Sequence, residues 1–422
     1  MRILTALVLT TCCVTGFSSN YSLLLRFDAP VDISQALADH QVNTVRSIPG
    51  EPVYRVELTS DTSLDTLIGQ LYNTPGLLSA EPNQKGIITG AEPAASIDQR
   101  PMLVLDQRPM LVLDQRPMLV LDDGRLYGTD NPAAAPLFFQ DWLDQIQAPQ
   151  VWENATGAGV TIAILDTGID TSHPFLEGHI SSLAHDFVAG DSDPNEERSN
   201  LDSNENGALD EGWGHGTHVA GIVRLVAPGA EILPIRVIDS DGVGNLFNIL
   251  EGLEYALNSG ADVINLSLSI PEPSVLLQEW ILKAKQQNVL VVTSAGNSSS
   301  GTLDFPADEM TVISVASVDQ ENVKSSFSNY SNKVDVSAPG ERILSAHPGG
   351  NYYVERTGTS MAAPMVAAQA AIILEVRPTA NFHRQMNRIK NMSQSIDYLN
   401  LSYEGLVGTG LIDIAHSIQE EM

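Results

Sequence analysis

Hydrophobic and polar positions along this chain follow two rhythms, one before and one after about residue 136. In the first, YSLLLRF (Tyr21–Phe27) and VYRVEL (Val53–Leu58) have the apolar, β-branched character of strands. Leu64–Tyr72 has the period of a short amphipathic helix. Strand and helix runs mixed over some seventy residues suit a small α+β domain. In the second, strand and helix alternate in the α/β manner. Val160–Leu165 (VTIAIL), Glu231–Ile238, Asp262–Leu268, Val289–Thr293 and Val312–Val318 are apolar runs that read as buried strands. Leu246–Asn258, Ser274–Gln287 and Ser360–Val376 have helical length and period. Strands of this kind predict an α/β fold, a mostly parallel sheet covered by helices on both faces.

Two segments fall outside this scheme. Ile3–Phe17 is an apolar stretch behind Arg2 with small residues at Gly16, Ser18 and Ser19, the pattern of a cleaved signal peptide over 1–19. Both cysteines, Cys12 and Cys13, lie inside it, so the mature chain is expected to have no disulfide and to rely on its core or on bound metal. The octapeptide DQRPMLVL occurs three times, at Asp98–Leu105, Asp106–Leu113 and Asp114–Leu121. Three short copies do not make a solenoid, and residues 91–135 read as a linker. The expected organisation is signal 1–19, a small domain 20–90, the linker 91–135 and a large domain 136–422.

Composition narrows the partners. The chain has 422 residues and a formal charge of −30, from 52 acidic against 22 basic side chains. That balance argues against nucleic acid and anionic membranes, both of which reward Lys and Arg. After the leader there is no run of eighteen apolar residues, so no membrane span is expected. Monomer is the default, since no long heptad appears.

Three motifs carry the chemistry. Asp166-Thr167-Gly168 follows VTIAIL directly and puts a carboxylate at a strand's C-terminal edge. Gly214-His215-Gly216-Thr217-His218-Val219-Ala220-Gly221 puts an imidazole at a helix opening, and Gly358-Thr359-Ser360-Met361-Ala362-Ala363-Pro364 does the same for a hydroxyl. A weak serine nucleophile needs a base within reach, and that base needs a third group to fix its tautomer. Singly, Asp166 reads as a turn residue and Ser360 as a helix cap. His215 and His218 lack the helical Glu of a zinc motif.

Together the three triplets, in the order Asp, His, Ser, resemble the signatures of the subtilase family, and the resemblance covers about Val151 to Ala415. It implies a serine endopeptidase with Asp166, His215 and Ser360 as catalytic triad. Ser294-Ala295-Gly296-Asn297 matches the family's oxyanion segment, which implies that Asn297 and the Ser360 N–H receive the oxyanion. Gly242, Gly244, Leu266, Ser267, Leu268 and Gly296 are then expected to flank an extended polypeptide substrate. Ser269-Ile270 stands where the family usually has glycine. The stretch from Leu71-Tyr72-Asn73-Thr74-Pro75-Gly76 through Glu81-Pro82-Asn83 resembles the end of a subtilase propeptide, which implies a ferredoxin-like intramolecular chaperone and inhibitor. The resemblance and the leader together imply a secreted, extracellular or periplasmic enzyme.

Two finer expectations follow. Asp304, just before Phe305-Pro306, matches the floor of the primary specificity pocket, and a carboxylate there favours Lys or Arg. Arg125 offers a matching self-processing site before Leu126, since the repeat arginines Arg100, Arg108 and Arg116 each precede proline. The stretch from Asp202 to Glu211, with oxygens at Asp202, Asn204, Asn206, the Ala208 carbonyl and Asp210 and with Gly207 in sixth place, resembles an EF-hand-type loop. Structural calcium is expected there, although Trp213 stands where the closing Glu would be. No catalytic metal or organic cofactor is expected. A catalytically silent peptide-binding fold and an esterase or amidase share the same motifs. A serine-reactive probe separates the first, and peptide against ester turnover the second.

Overall fold

The computed structural model describes residues 19–88 and 137–419. Residues 1–18 with both cysteines, the octapeptide repeats and Arg125 lie outside the described residues. The chain divides into two compact units, Met1–Asn83 and Gln84–Met422.

In the first unit, β1 (Ser19–Phe27), α1 (Ile33–Ala36), β2 (Gln41–Ser47), β3 (Val53–Ser60), α2 (Leu64–Leu71) and β4 (Leu77–Pro82) follow in order. Their antiparallel sheet runs β2-β3-β1-β4, the β-α-β-β-α-β order of a ferredoxin-like arrangement. Alternate strand residues Leu23, Leu25, Phe27, Val56 and Leu58 form its core with Leu67 and Leu71 of α2. Asp32 caps α1 by accepting from the Ser34 and Gln35 amides.

In the second unit the order is β5 (Lys85–Ile88), α3 (Asp141–Gln145), β6 (Thr161–Asp166), β7 (His185–Asp186), α4 (His215–Val226), β8 (Glu231–Arg236) and β9 (Val243–Asn245). Then come α5 (Leu246–Asn258), β10 (Val263–Leu266), β11 (Leu268–Ser269), α6 (Val275–Gln286), β12 (Leu290–Ser294), β13 (Ile313–Val318) and β14 (Val336–Pro339). β15 (Ile343–His347) and β16 (Tyr352–Arg356) form a hairpin, followed by α7 (Thr359–Val376), α8 (Phe382–Asn391) and α9 (Ile414–Ile418).

Seven strands form a sheet in the order β14-β13-β12-β10-β6-β8-β7, every neighbouring pair parallel. Its two faces are separated by the side-chain period of two. Ile162 and Ile164 of β6 join the core beneath α4 and α7, whereas Leu165 and Ile235 point at Gly252 of α5. Helices therefore cover both faces, as an all-parallel sheet requires. From β6 the chain proceeds to one side through β7 and β8 and later returns to β10 on the other. This reversal is a topological switch point, and open α/β sheets gather their functional groups outside the strand C-termini at such a point. Asp166 is the last residue of β6. Among the described residues one helix, α7, is long and apolar enough to cross a membrane, and most of it is buried in the core.

Candidate active site

The acid and the imidazole meet where β6 ends and α4 begins. Asp166 Oδ1 and Oδ2 lie 2.8 and 3.0 Å from His215 Nδ1, with the side chains 1% and 2% exposed. Oδ1 also accepts from the Thr167 amide at 2.7 Å, which fixes the carboxylate plane. The glycines of both motifs make this approach feasible. A Cβ on Gly216 would stand 2.1 Å from the Gly168 carbonyl, and Gly168 itself adopts φ +102° with the Pro194 carbonyl against it. With Nδ1 held by Asp166, His215 Nε2 is the nitrogen left to act, and it is buried without a hydrogen-bond partner. His218 faces away, with Nε2 2.9 Å from the Ile343 carbonyl. Burial, followed by the charges of Arg356 and His215, holds it well below the usual histidine range, so it packs as a neutral ring.

Ser360 occupies the first turn of α7. Pro364, four residues on, has no N–H to give the Ser360 carbonyl, and Ser267 Oγ donates to that carbonyl instead, at 3.1 Å. In return Ser360 Oγ donates to the Ser267 carbonyl at 3.4 Å. Asn297 lies against the same helix start. Its Oδ1 accepts from the Thr359 amide at 2.9 Å and the Thr359 hydroxyl at 3.0 Å. The amide orientation is thereby set, and Nδ2 is left buried with no partner.

A peptide strand already lies in the groove that the sequence places beside this site. β5 pairs antiparallel with β9 (Gly86 opposite Gly244, Ile87 opposite Val243) and with β11 (Ile87 opposite Ser269, Ile88 opposite Leu268). The Ile88 amide donates to the Gly242 carbonyl at 3.2 Å. Gly242, Gly244 and Leu268 thus contact an extended segment through backbone, with Ser267 one residue further toward Ser360. Leu266 is fully buried in β10 and supports the groove from beneath. Ile270 is turned inward, bridged to Phe305.

Asp304 is half-buried beside Gly296, and its Oδ1 accepts from Asn329 Nδ2 at 3.0 Å. A Cβ on Gly296 (φ +105°) would stand 2.3 Å from Asp304 Oδ2. Burial pushes the Asp304 carboxyl up, against the Asn329 hydrogen bond.

The 202–211 loop is laced by its own side chains. Asp202 accepts from the Asn206 and Gly207 amides, Asn204 Oδ1 from Asn206, and Asn206 Oδ1 from Ala208. Asp210 is committed elsewhere: its Oδ1 accepts from Ser240 Oγ at 2.6 Å and from the Ser199 and Asn200 amides. Those bonds hold it below its ordinary range against the effect of burial, the largest single influence. Among the described residues no three His, Cys, Asp or Glu side chains gather as a metal cluster.

Two charged residues beside the pair carry no sequence signal of their own. Glu196 reaches Thr167, Gly216 and Thr217 from an acidic loop. Arg356, at the end of β16, donates to the Trp213 carbonyl at 2.7 Å. Thr359, which orients Asn297, belongs to the GTS triplet but was not singled out from it.

Residues 157–399 match the model of the Subtilase family. Subtilisin Savinase of Lederbergia lenta is 38% identical over 275 residues, covering 63% of this chain and 95% of the relative. Thermitase of Thermoactinomyces vulgaris is 40% identical over 239 residues, covering 54% and 80%. A protease structure from Pseudoalteromonas arctica aligns with TM-score 0.59 at 30% identity over 66% of this chain and 96% of that one. Fervidolysin from Fervidobacterium pennivorans shares the fold at TM-score 0.72 and 24% identity, over 96% of this chain and 62% of that one. A parallel sheet with the acid–imidazole pair at its switch point, together with these likenesses, defines a serine-type endopeptidase. The chain belongs to the Subtilase family.

Proposed function

We propose that Ser360 is the nucleophile, His215 its general base, Asp166 the group that holds the imidazole, and Asn297 an oxyanion donor with the Ser360 N–H. His215 Nε2 takes the Ser360 proton as Oγ attacks the scissile carbonyl, and then gives it to the leaving amine. Water enters the acyl-enzyme by the same route in reverse. The carrying observation is the buried 2.8 Å Asp166–His215 contact with Nε2 unpartnered. Asn297 Nδ2, buried and equally unpartnered, supports the oxyanion role. Mass spectrometry of the wild-type chain beside Ser360→Ala tests the assignment: self-cleavage of the wild type alone supports it. Cleavage of neither chain, together with no labelling of the wild type by a serine-reactive phosphonate, overturns it.

The substrate is an extended polypeptide added as a strand between β9 and β11, the mode β5 displays. The small domain ahead of β5 acts as the enzyme's own propeptide, and its release follows cleavage in the stretch between Ile88 and Leu126. Asp304 gives preference for Lys or Arg before the scissile bond, and Arg125 is then a final trimming site. The enzyme works as a monomer outside the cytoplasm, a reading supported by the apolar leader that contains both cysteines of the chain.

Calcium binding at the 202–211 loop remains part of this reading with one ligand exchanged. Asp210 serves Ser240, while Glu211 Oε1 and Asp241 Oδ1 are buried acceptors without partners. Glu211 Oε2 contacts Asn204 and Asn206, and Asp241 Oδ2 accepts from the Asn204 amide, so both acids adjoin the loop. A hard cation would supply what these oxygens lack. Its role is structural, and no chemical step passes through it. A thermal midpoint unchanged by EGTA, with no terbium luminescence, would remove calcium from this loop.

A further inference from the structure

Glu196 touches neither the imidazole nor the nucleophile, yet it binds together the two segments that carry Asp166 and His215. Thr167 Oγ1 accepts from the Gly216 amide at 3.0 Å and donates to Glu196 Oε1. Thr217 Oγ1 accepts from the Asp170 amide at 2.8 Å and donates to Glu196 Oε2 at 2.7 Å. The Gly216 amide also reaches Oε1, at 3.2 Å. One carboxylate thus holds the residue after Asp166 and the two residues after His215. Both hydroxyls already take an amide on their acceptor side, so both point their hydrogens at Glu196. That pattern calls for an acceptor at each oxygen, which an ionised carboxylate supplies and a glutamine does not.

We propose that Glu196 is a positioning residue for the Asp166–His215 pair, acting through Thr167 and Thr217 and effective only when ionised. This rests on the catalytic reading of Asp166, His215 and Ser360.

The charged surroundings of Glu196 come from several elements. Asp166 faces it from β6 and Arg356 from β16, and Arg356 also holds the Trp213 carbonyl just before His215. Arg236 of β8 lies nearby but is paired with Asp186 at 2.8 Å. From α4 the Gly216 amide and the Thr217 hydroxyl reach it, and His218, behind them and beside Arg356, is neutral. Burial above all, with the Asp166 charge adding to it and the threonine hydroxyls and Arg356 opposing, pushes Glu196 up to about 7. The folded state therefore holds a proton on Glu196 between about 4.5 and about 7 that the unfolded chain has released. The stability contributed by this site is present at low pH and is lost as pH rises through 7. Activity runs the other way, because both threonine hydroxyls have an acceptor to donate to only when Glu196 is ionised.

The test is the pH profile of kcat/KM on a peptide amide, for the self-processed wild type and Glu196→Gln, with active sites counted by a serine-reactive phosphonate. The acid-side loss of activity should be steeper in the wild type than in Glu196→Gln, which has no carboxylate to protonate at position 196. At pH 8 the variant should lose about 10²-fold in kcat with little change in KM, the scale of a misplaced catalytic group. Its thermal midpoint should also vary less between pH 5 and 8. Should Glu196→Gln fail to mature, Thr217→Val keeps the carboxylate, removes one tether and should show the same kcat loss. Equal slopes and equal kcat, or a change in thermal midpoint alone, overturn the proposal. A wild type that does not react with the phosphonate overturns the catalytic reading beneath it.

Discussion

Ser267 and Ser360 exchange hydrogen bonds. The hydroxyl of each donates to the carbonyl of the other, at 3.1 Å from Ser267 and 3.4 Å from Ser360. The exchange follows from Pro364, which deprives the Ser360 carbonyl of its helical donor. Ser267→Ala removes this donor from the carbonyl, and about 0.5–1.5 kcal/mol of stability should go with it. Thermal unfolding of the double variant with Ser360→Ala, which cannot digest itself, measures the loss. An unchanged midpoint would mean that another donor replaces Ser267.

Asn297 is held by Thr359 at its oxygen and by nothing at its nitrogen. An interaction made only in the transition state lowers kcat and leaves KM alone when it is removed. Asn297→Leu should therefore reduce kcat by about 10²–10³, the loss known for a subtilisin oxyanion asparagine, with KM within about twofold. Steady-state kinetics on a peptide amide decide it, and a rise in KM at constant kcat would assign Asn297 to substrate binding instead.

Much of this was legible in the sequence. The five apolar strands of the large domain lie within a residue or two of their expected places, and α5 has the expected bounds, Leu246–Asn258. The expected run Asp262–Leu268 is split into β10 and β11, because the chain leaves the main sheet at Ser267 to enter the groove. The triplets around Asp166, His215 and Ser360 were readable because each encodes a local requirement, an acid at a strand end or a glycine at a close approach. Glu196 and Arg356 were not, since their roles depend on contacts 20 to 190 residues away. Glu196 lies among Asp191, Asp193 and Glu197, where charge alone reads as a solvated loop. β5 was also missed, because Lys85–Ile88 is too short to declare itself and owes its form to two partner strands.

Asp304 gives a pH-dependent specificity with a definite sign. Burial raises its carboxyl, so at mildly acid pH a larger share is protonated than for an exposed aspartate. Charge pairing with a Lys or Arg side chain should strengthen as pH rises and the carboxylate forms. The ratio of kcat/KM for matched peptides with Arg or Leu before the scissile bond should increase from pH 4 to pH 8 in the wild type. Asp304→Asn should flatten the ratio over that range. A flat wild-type ratio would remove Asp304 from the specificity pocket.

Gly86 shows what the groove admits. A Cβ at this position would stand 2.7 Å from Ile249 Cδ1 and 3.6 Å from Ile270 Cγ2. Both belong to buried residues, and the first is the far end of the Ile249 side chain on α5. A larger residue can enter only if Ile249 turns away. Gly86→Leu should therefore slow self-cleavage by destabilising β5 between β9 and β11, and Ile249→Ala in the same chain should restore it by opening the space. A time course of precursor loss by mass spectrometry reads both effects. Mature enzyme recovered from Gly86→Leu, once active sites are counted, should turn over an added peptide at the wild-type rate, since the proposed cleavage after Ile88 removes position 86. Slow turnover there would show that the substitution harmed folding rather than occupancy of the groove. Failure of Ile249→Ala to rescue would show that the obstacle is the backbone pairing itself and not the wall that Ile249 forms.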